Sequence, residues 1–133
     1  MDKIWSHVDD LPALTDFLKH FSFHDGVIKE VHWVNRSFVS KNLRMAVEEQ
    51  ASVRMLVQRQ WPNPSAIEIL FEGVTGLELD STNFIYYADP KQTDDGILEL
   101  TLSGSWIAFK SFRWRDASDW MDESTHFGLD WHQ

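Results

Sequence analysis

Phe21-Ser22-Phe23-His24-Asp25-Gly26-Val27-Ile28 is the stretch at which the chain changes rhythm. Upstream, Leu11, Leu14, Leu18 and Phe21 recur every three or four residues with Phe17 beside them, while Asp16, Lys19 and His20 fall elsewhere. Such spacing marks the apolar stripe of a helix. Asp9-Asp10-Leu11-Pro12 supplies a carboxylate cap with proline in the first turn. A helix over 10–21 is predicted, too short to stand alone and therefore docked through Leu14 and Leu18. Gly26 is expected to let the backbone turn out of this helix, the sole element before the junction.

Downstream the apolar residues alternate, the period of a strand. In the first strand Val27, Val31 and Trp33 are expected on one face, with Ile28, Glu30, His32 and Val34 on the other. Asn35-Arg36-Ser37 reads as a turn, and Phe38 to Val47 as a second strand carrying Leu43, Met45 and Val47 on one side. Val53, Met55 and Val57 mark a third. Trp61-Pro62-Asn63-Pro64-Ser65 must be a loop, because its prolines lack donors. Ile67, Ile69 and Phe71 mark a strand ending at Gly73, followed by short ones at Leu77 to Leu79 and Asn83 to Tyr87. Asp94-Asp95-Gly96 and Ser103-Gly104 are turn signals bounding a strand from Ile97 to Leu102, and Trp106 to Trp114 form the last. The expected fold is α+β and mainly β. Seven or eight short antiparallel strands over 27–114 form a curled sheet, sandwich or barrel, with one N-terminal helix over a face or an open end. The whole chain, 1–133, reads as one domain, closed by an acidic segment, 116–133, that frays or docks through Phe127 and Trp131.

At 133 residues the chain can bury a sizeable core. It has no cysteine, so disulfide and thiolate chemistry are excluded. No segment reaches the roughly 20 apolar residues of a membrane span, and no signal peptide is visible, so a cytoplasmic protein without membrane contact is expected. Residues 1–65 carry eight acidic and eight basic side chains; residues 66–133 carry thirteen and four, so 4 − 13 accounts for the whole net charge of −9. That distribution argues against a nucleic-acid surface, which needs clustered Lys and Arg, and suits a basic partner or solubility.

His24-Asp25 is the one pair that invites a catalytic reading, since a carboxylate can orient a histidine base. His20 and His7 extend the thought to a metal. The favoured reading is structural: Asp25 before a glycine suits a turn whose carboxylate accepts backbone N–H groups, and no third convergent group is evident. No phosphate loop, zinc motif or nucleophile elbow is present, so no catalytic residue, metal or cofactor is assigned. Binding is the stronger expectation. Trp61 is the ring least easily placed in a core, and exposed Trp and Tyr anchor interfaces; the alternative is that it closes its loop over Pro62 and Pro64. Tyr86-Tyr87, with Asp89, Asp94 and Asp95 beyond, makes an aromatic and acidic patch, or else a strand end and a solvated turn. Asp116, Asp119, Asp122 and Glu123 could meet a basic partner, although charge runs are more often plain surface.

Phe23-His24-Asp25-Gly26-Val27-Ile28 and Ile67-Glu68-Ile69-Leu70-Phe71-Glu72-Gly73-Val74-Thr75-Gly76-Leu77 together carry a resemblance. The chain resembles small bacterial domains that open with a short helix, a Phe-His-Asp turn and a strand, then carry a strand with Phe-x-Gly-Val. Some of these are catalogued as immunity proteins of polymorphic toxin systems, others are uncharacterised. The resemblance implies a compact antidote without chemistry of its own and assigns no site residue. The expectation is thus a non-catalytic binding protein that neutralises a cognate basic toxin. The alternative is a small-molecule or carbohydrate-binding β domain using Trp and Tyr in a groove, with an enzyme using His24 and Asp25 third.

Overall fold

A computed structural model describes residues 4–121. Asp122, Glu123, Phe127 and Trp131, and with them most of the acidic C-terminal segment, lie outside the described residues. The fold is mainly β with one N-terminal helix, α1 (Leu11–His20). Asp10 caps the helix by accepting from the Ala13 N–H at 2.8 Å, and Pro12 sits in its first turn, as the sequence predicts. Leu14 and Leu18 both pack on the core, Leu14 fully buried and Leu18 half-buried, and Phe17, also buried, adds an anchor between them.

Twelve strands are present among the described residues, against an expected seven or eight. The surplus comes from the short β1 (Ser6–Val8), from β9 (Ala88–Gln92), whose charges and proline show no apolar alternation, and from two expected strands that each divide in two. The first, β1, precedes the helix, so the N-terminal arm is not helix alone. It pairs antiparallel with β12 (Ser111–Asp116). The main sheet runs β1, β12, β6 (Ala66–Val74), β5 (Ala51–Gln58), β2 (Gly26–Asn35), β8 (Phe84–Ile85). The second runs β7 (Gly76–Glu78), β11 (Ser105–Phe109), β10 (Leu98–Leu102), β9 (Ala88–Gln92). A two-stranded ribbon, β3 (Phe38–Val39) and β4 (Met45–Ala46), replaces the single strand expected from Phe38 to Val47. All pairings are antiparallel, and no sheet closes or curls. Pro90 is admitted to β9 because that strand is an edge and loses no ladder bond there.

Two breaks reset the alternation that the sequence suggests. In β2 the register shifts between Ile28 and Glu30, so Ile28 faces Val57, Val31 faces Met55 and Trp33 faces Val53. Facing residues of an antiparallel pair share a side of the sheet. Ile28 therefore joins Val31 on the core side, although their spacing of three assigns them opposite faces. The second break is at Lys110, which splits the strand expected from Trp106 to Trp114. β11 belongs to one sheet and β12 to the other, and the change of sheet brings Ile107 and Phe109 into the same core as Phe112. The Phe109 and Phe112 rings lie 5.7 Å apart, and Phe71 meets Phe109 at 4.8 Å. The partner strand bends at the same height, β6 giving way to β7 around Thr75. Thr75 N–H donates to Ala108 O and Lys110 N–H to Glu72 O, each at 3.0 Å. Strands that switch sheets make the corners of two-sheet folds.

The two sheets share one core, and α1 touches β1 and β9, an edge strand of each. Phe17 is its wedge, within 5.2–5.7 Å of Phe21, Phe23, Phe112 and Trp114 ring centres. No described helix is long and apolar enough to cross a membrane.

Candidate functional site

The junction that ends the helix also opens β2, and it builds the first part of the site. The left-handed residue is Asp25, at φ +63°, and not Gly26. Short polar residues tolerate that region, which costs other L-residues about 1–2 kcal/mol. Gly26 is needed for a different reason: a Cβ there would stand 2.9 Å from both the Gln58 and Phe23 carbonyl oxygens. Asp25 N–H donates to Ile85 O at 2.8 Å, which ties the junction to β8. The Asp25 carboxylate meets His24 Nδ1 at 3.0 Å, so it does not cap backbone N–H groups as the turn reading expects. Both side chains are well exposed.

On β8 the alternation sends Ile85 into the core and Phe84 and Tyr86 outward. Phe84 and Ile85 pair with Val27 and Gly26, so the two outward rings flank the junction. Asp25, Gln60, Phe84, Ile85 and Tyr86 line a shallow depression of about 210 Å³. Gln60 Nε2 donates to Asp25 O at 3.0 Å, and Trp61, one residue on, is 55 % exposed. The structure therefore favours exposure for Trp61 over a ring packed down on its loop.

Two devices, one buried and one near the surface, hold these pieces. Arg59, only 7 % exposed, donates from Nε to Ser22 O at 3.0 Å and from Nη1 to Pro64 O at 2.7 Å, with its guanidinium 5.7 Å from the Phe21 ring centre. It clamps the junction to the loop carrying Trp61, and burial pulls its pKa below the usual arginine value. Ser103, left-handed at φ +57°, accepts from Tyr86 N–H at 2.6 Å and receives the Tyr87 hydroxyl on its carbonyl at 3.2 Å. Tyr87 is thus held back while Tyr86 stands free. Gln60, Phe84 and Arg59 were not singled out from sequence. Only Arg59 left a signal there, a charge closing an apolar strand.

Asp94 and Asp95 do not join this group. They sit at the turn between β9 and β10, while Tyr87 lies at the opposite end of β9, about 14 Å away along the strand. The Thr93 hydroxyl bonds the Asp95 carboxylate and holds its pKa below the ordinary carboxylate value. Among the described residues no three His, Cys, Asp or Glu side chains form a group that could hold a metal ion.

The charge asymmetry is partly consumed by the fold. Glu68, 2 % exposed, lies 3.4 Å from Arg54 Nε and accepts from Arg115 Nε, and Glu72 meets Arg36 and Arg113. Unbalanced charge persists over 76–109, the four-stranded sheet and its connections, where six carboxylates face the single cation Lys91, so 1 − 6 gives −5. Phe84, Tyr86 and Tyr87 rise within that acidic span. The chain matches no protein-family model, no curated protein and no solved structure.

Proposed function

We propose that this protein is a non-catalytic binding protein that holds a basic protein partner at its aromatic, acidic end, in the manner of an immunity protein occupying a toxin. The observation that carries the reading is the outward pair Phe84 and Tyr86 in the 76–109 stretch, where Glu78, Asp80, Asp89 and Glu99 outnumber Lys91 even without the distant Asp94 and Asp95. Rigid aromatic anchors give an interface its desolvated centre, and surrounding carboxylates speed encounter with a cationic surface. Pre-organisation supports it as well, since Arg59 and Ser103 fix the backbone before any partner arrives. The Phe-His-Asp resemblance points the same way. The depression of about 210 Å³ is smaller than the roughly 300–1,000 Å³ of most small-ligand sites, which weighs against the sugar-binding alternative.

The experiment is surface-plasmon kinetics across a salt series against the product of the neighbouring gene. Tyr86→Ala is expected to speed dissociation, and Asp80→Asn with Asp89→Asn to slow association and flatten its salt dependence. Association indifferent to salt removes the electrostatic part of the proposal. Unchanged dissociation in Tyr86→Ala and Phe84→Ala removes the aromatic part.

A further inference from the structure

The β3–β4 ribbon hangs from the other end of β2, roughly 30 Å along the strand from the aromatic surface, and it presents a different chemistry. β3 and β4 pair with each other and with no strand of the larger sheets. Phe38 faces Ala46 across the ladder and Val39 faces Met45. Neighbours along a strand point to opposite sides, so Phe38 lies on one side and Val39 with Met45 on the other. All three are exposed, as is Val47, and Leu43 at the turn is 83 % exposed. Large apolar groups therefore meet water on both sides and at the tip. The tip is a built turn: Ser40 N–H donates to Arg44 O at 2.8 Å, Leu43 N–H to Ser40 O at 2.9 Å, and Leu43 is held at φ +67°. At the base Glu48 N–H donates to Ser37 Oγ at 2.8 Å.

Between Phe38 and Val47 the ribbon carries Lys41 and Arg44 and no carboxylate, in a chain of net charge −9, while Arg36, paired with Glu72, and Glu48-Glu49 lie at its base. Apolar groups on every side favour a medium that surrounds the ribbon over a protein surface that covers one side. Cations flanking an apolar tip match anionic headgroups above acyl chains. We propose that the β3–β4 ribbon is a membrane-docking finger that seats its tip in the headgroup layer of an anionic bilayer. This is contact with a surface and not a crossing. It also revises the expectation from sequence that no membrane is touched. The acidic body does not prevent it. From Phe38 to the turn the ribbon reaches about 10 Å, beyond a Debye length of about 8 Å, so body carboxylates are screened while Lys41 and Arg44 meet lipid.

The test is co-sedimentation of the full chain with phosphatidylcholine vesicles, with and without phosphatidylserine. Binding is expected only with phosphatidylserine and should weaken as salt rises. Lys41→Gln with Arg44→Gln should lower partitioning by about fivefold per charge. Leu43→Ser with Met45→Ser should abolish it, with unchanged melting temperatures showing that the fold persists. Absence of binding to phosphatidylserine vesicles overturns the proposal. So does partitioning that survives Leu43→Ser with Met45→Ser, or self-association in lipid-free sedimentation that these substitutions abolish, which would make a second copy the occupant.

Discussion

Replacing Arg59 with methionine keeps a long apolar stem in place and deletes every donor. Its Nη1 bond to Pro64 O lies in a buried setting, where losing a charged donor costs about 1.5–3 kcal/mol. The Ser22 carbonyl is only part-buried and can recover water, so its share is about 1 kcal/mol or less. Relief of a desolvated guanidinium returns part of this, leaving a net loss of about 2–3 kcal/mol. For a chain of this size that corresponds to a fall in Tm of roughly 6–12 °C. Urea unfolding measures it, with the m-value showing whether the unfolded state has also changed. Arg59→Lys should recover only part of the loss, because one ammonium cannot reproduce the fork that spans two carbonyls. A loss below about 0.5 kcal/mol for Arg59→Met would refute the reasoning, since both carbonyls would then have other partners.

The helix anchor is tested by two truncations: Leu14→Ala, at a fully buried site, should cost about 3–5 kcal/mol, and half-buried Leu18 about 1 kcal/mol, in urea unfolding. A carboxylate capping backbone N–H groups would make Asp25→Asn cost about 1 kcal/mol or more, but the left-handed backbone changes the expectation. Asp25→Asn should lie within about 0.5 kcal/mol of the parent, while Asp25→Val should cost about 2 kcal/mol, and equal melting curves for the two would refute the assignment of strain.

Much of the architecture was legible because it depends on local periodicity. The cap at Asp10, the apolar run from Leu11, the alternation of Val53, Met55 and Val57, and the turn at Asp94-Asp95-Gly96 are each decided within a few residues. Strand count was not, since Ser6–Val8 is too short to show a period and Ala88–Gln92 has no apolar alternation, and each exists because its partner, β12 or β10, offers it hydrogen bonds. Face assignment failed in β2, and the continuity of the last strand failed at Lys110, for a related reason. A register shift reverses every later side chain and a change of sheet re-aims the strand, and both depend on the facing strands.

The same division governs the candidate surfaces. His24, Asp25, Trp61, Tyr86 and Tyr87 were named from sequence by residue type, yet nothing in their spacing says that Asp25 and Tyr86 share a depression while Asp94 and Asp95 lie elsewhere. Nor could it show that Glu68 and Glu72 are neutralised by arginines on neighbouring strands, or that Phe38, Val39, Leu43 and Met45 form a ribbon with no sheet to cover it. The sequence by itself determined the helix, the β rhythm and the turns, because those follow from torsion preferences and apolar spacing along the chain. Tertiary structure alone decided which rings stay wet, which charges remain unpaired and which residues meet, because burial and pairing are set by partners distant in sequence.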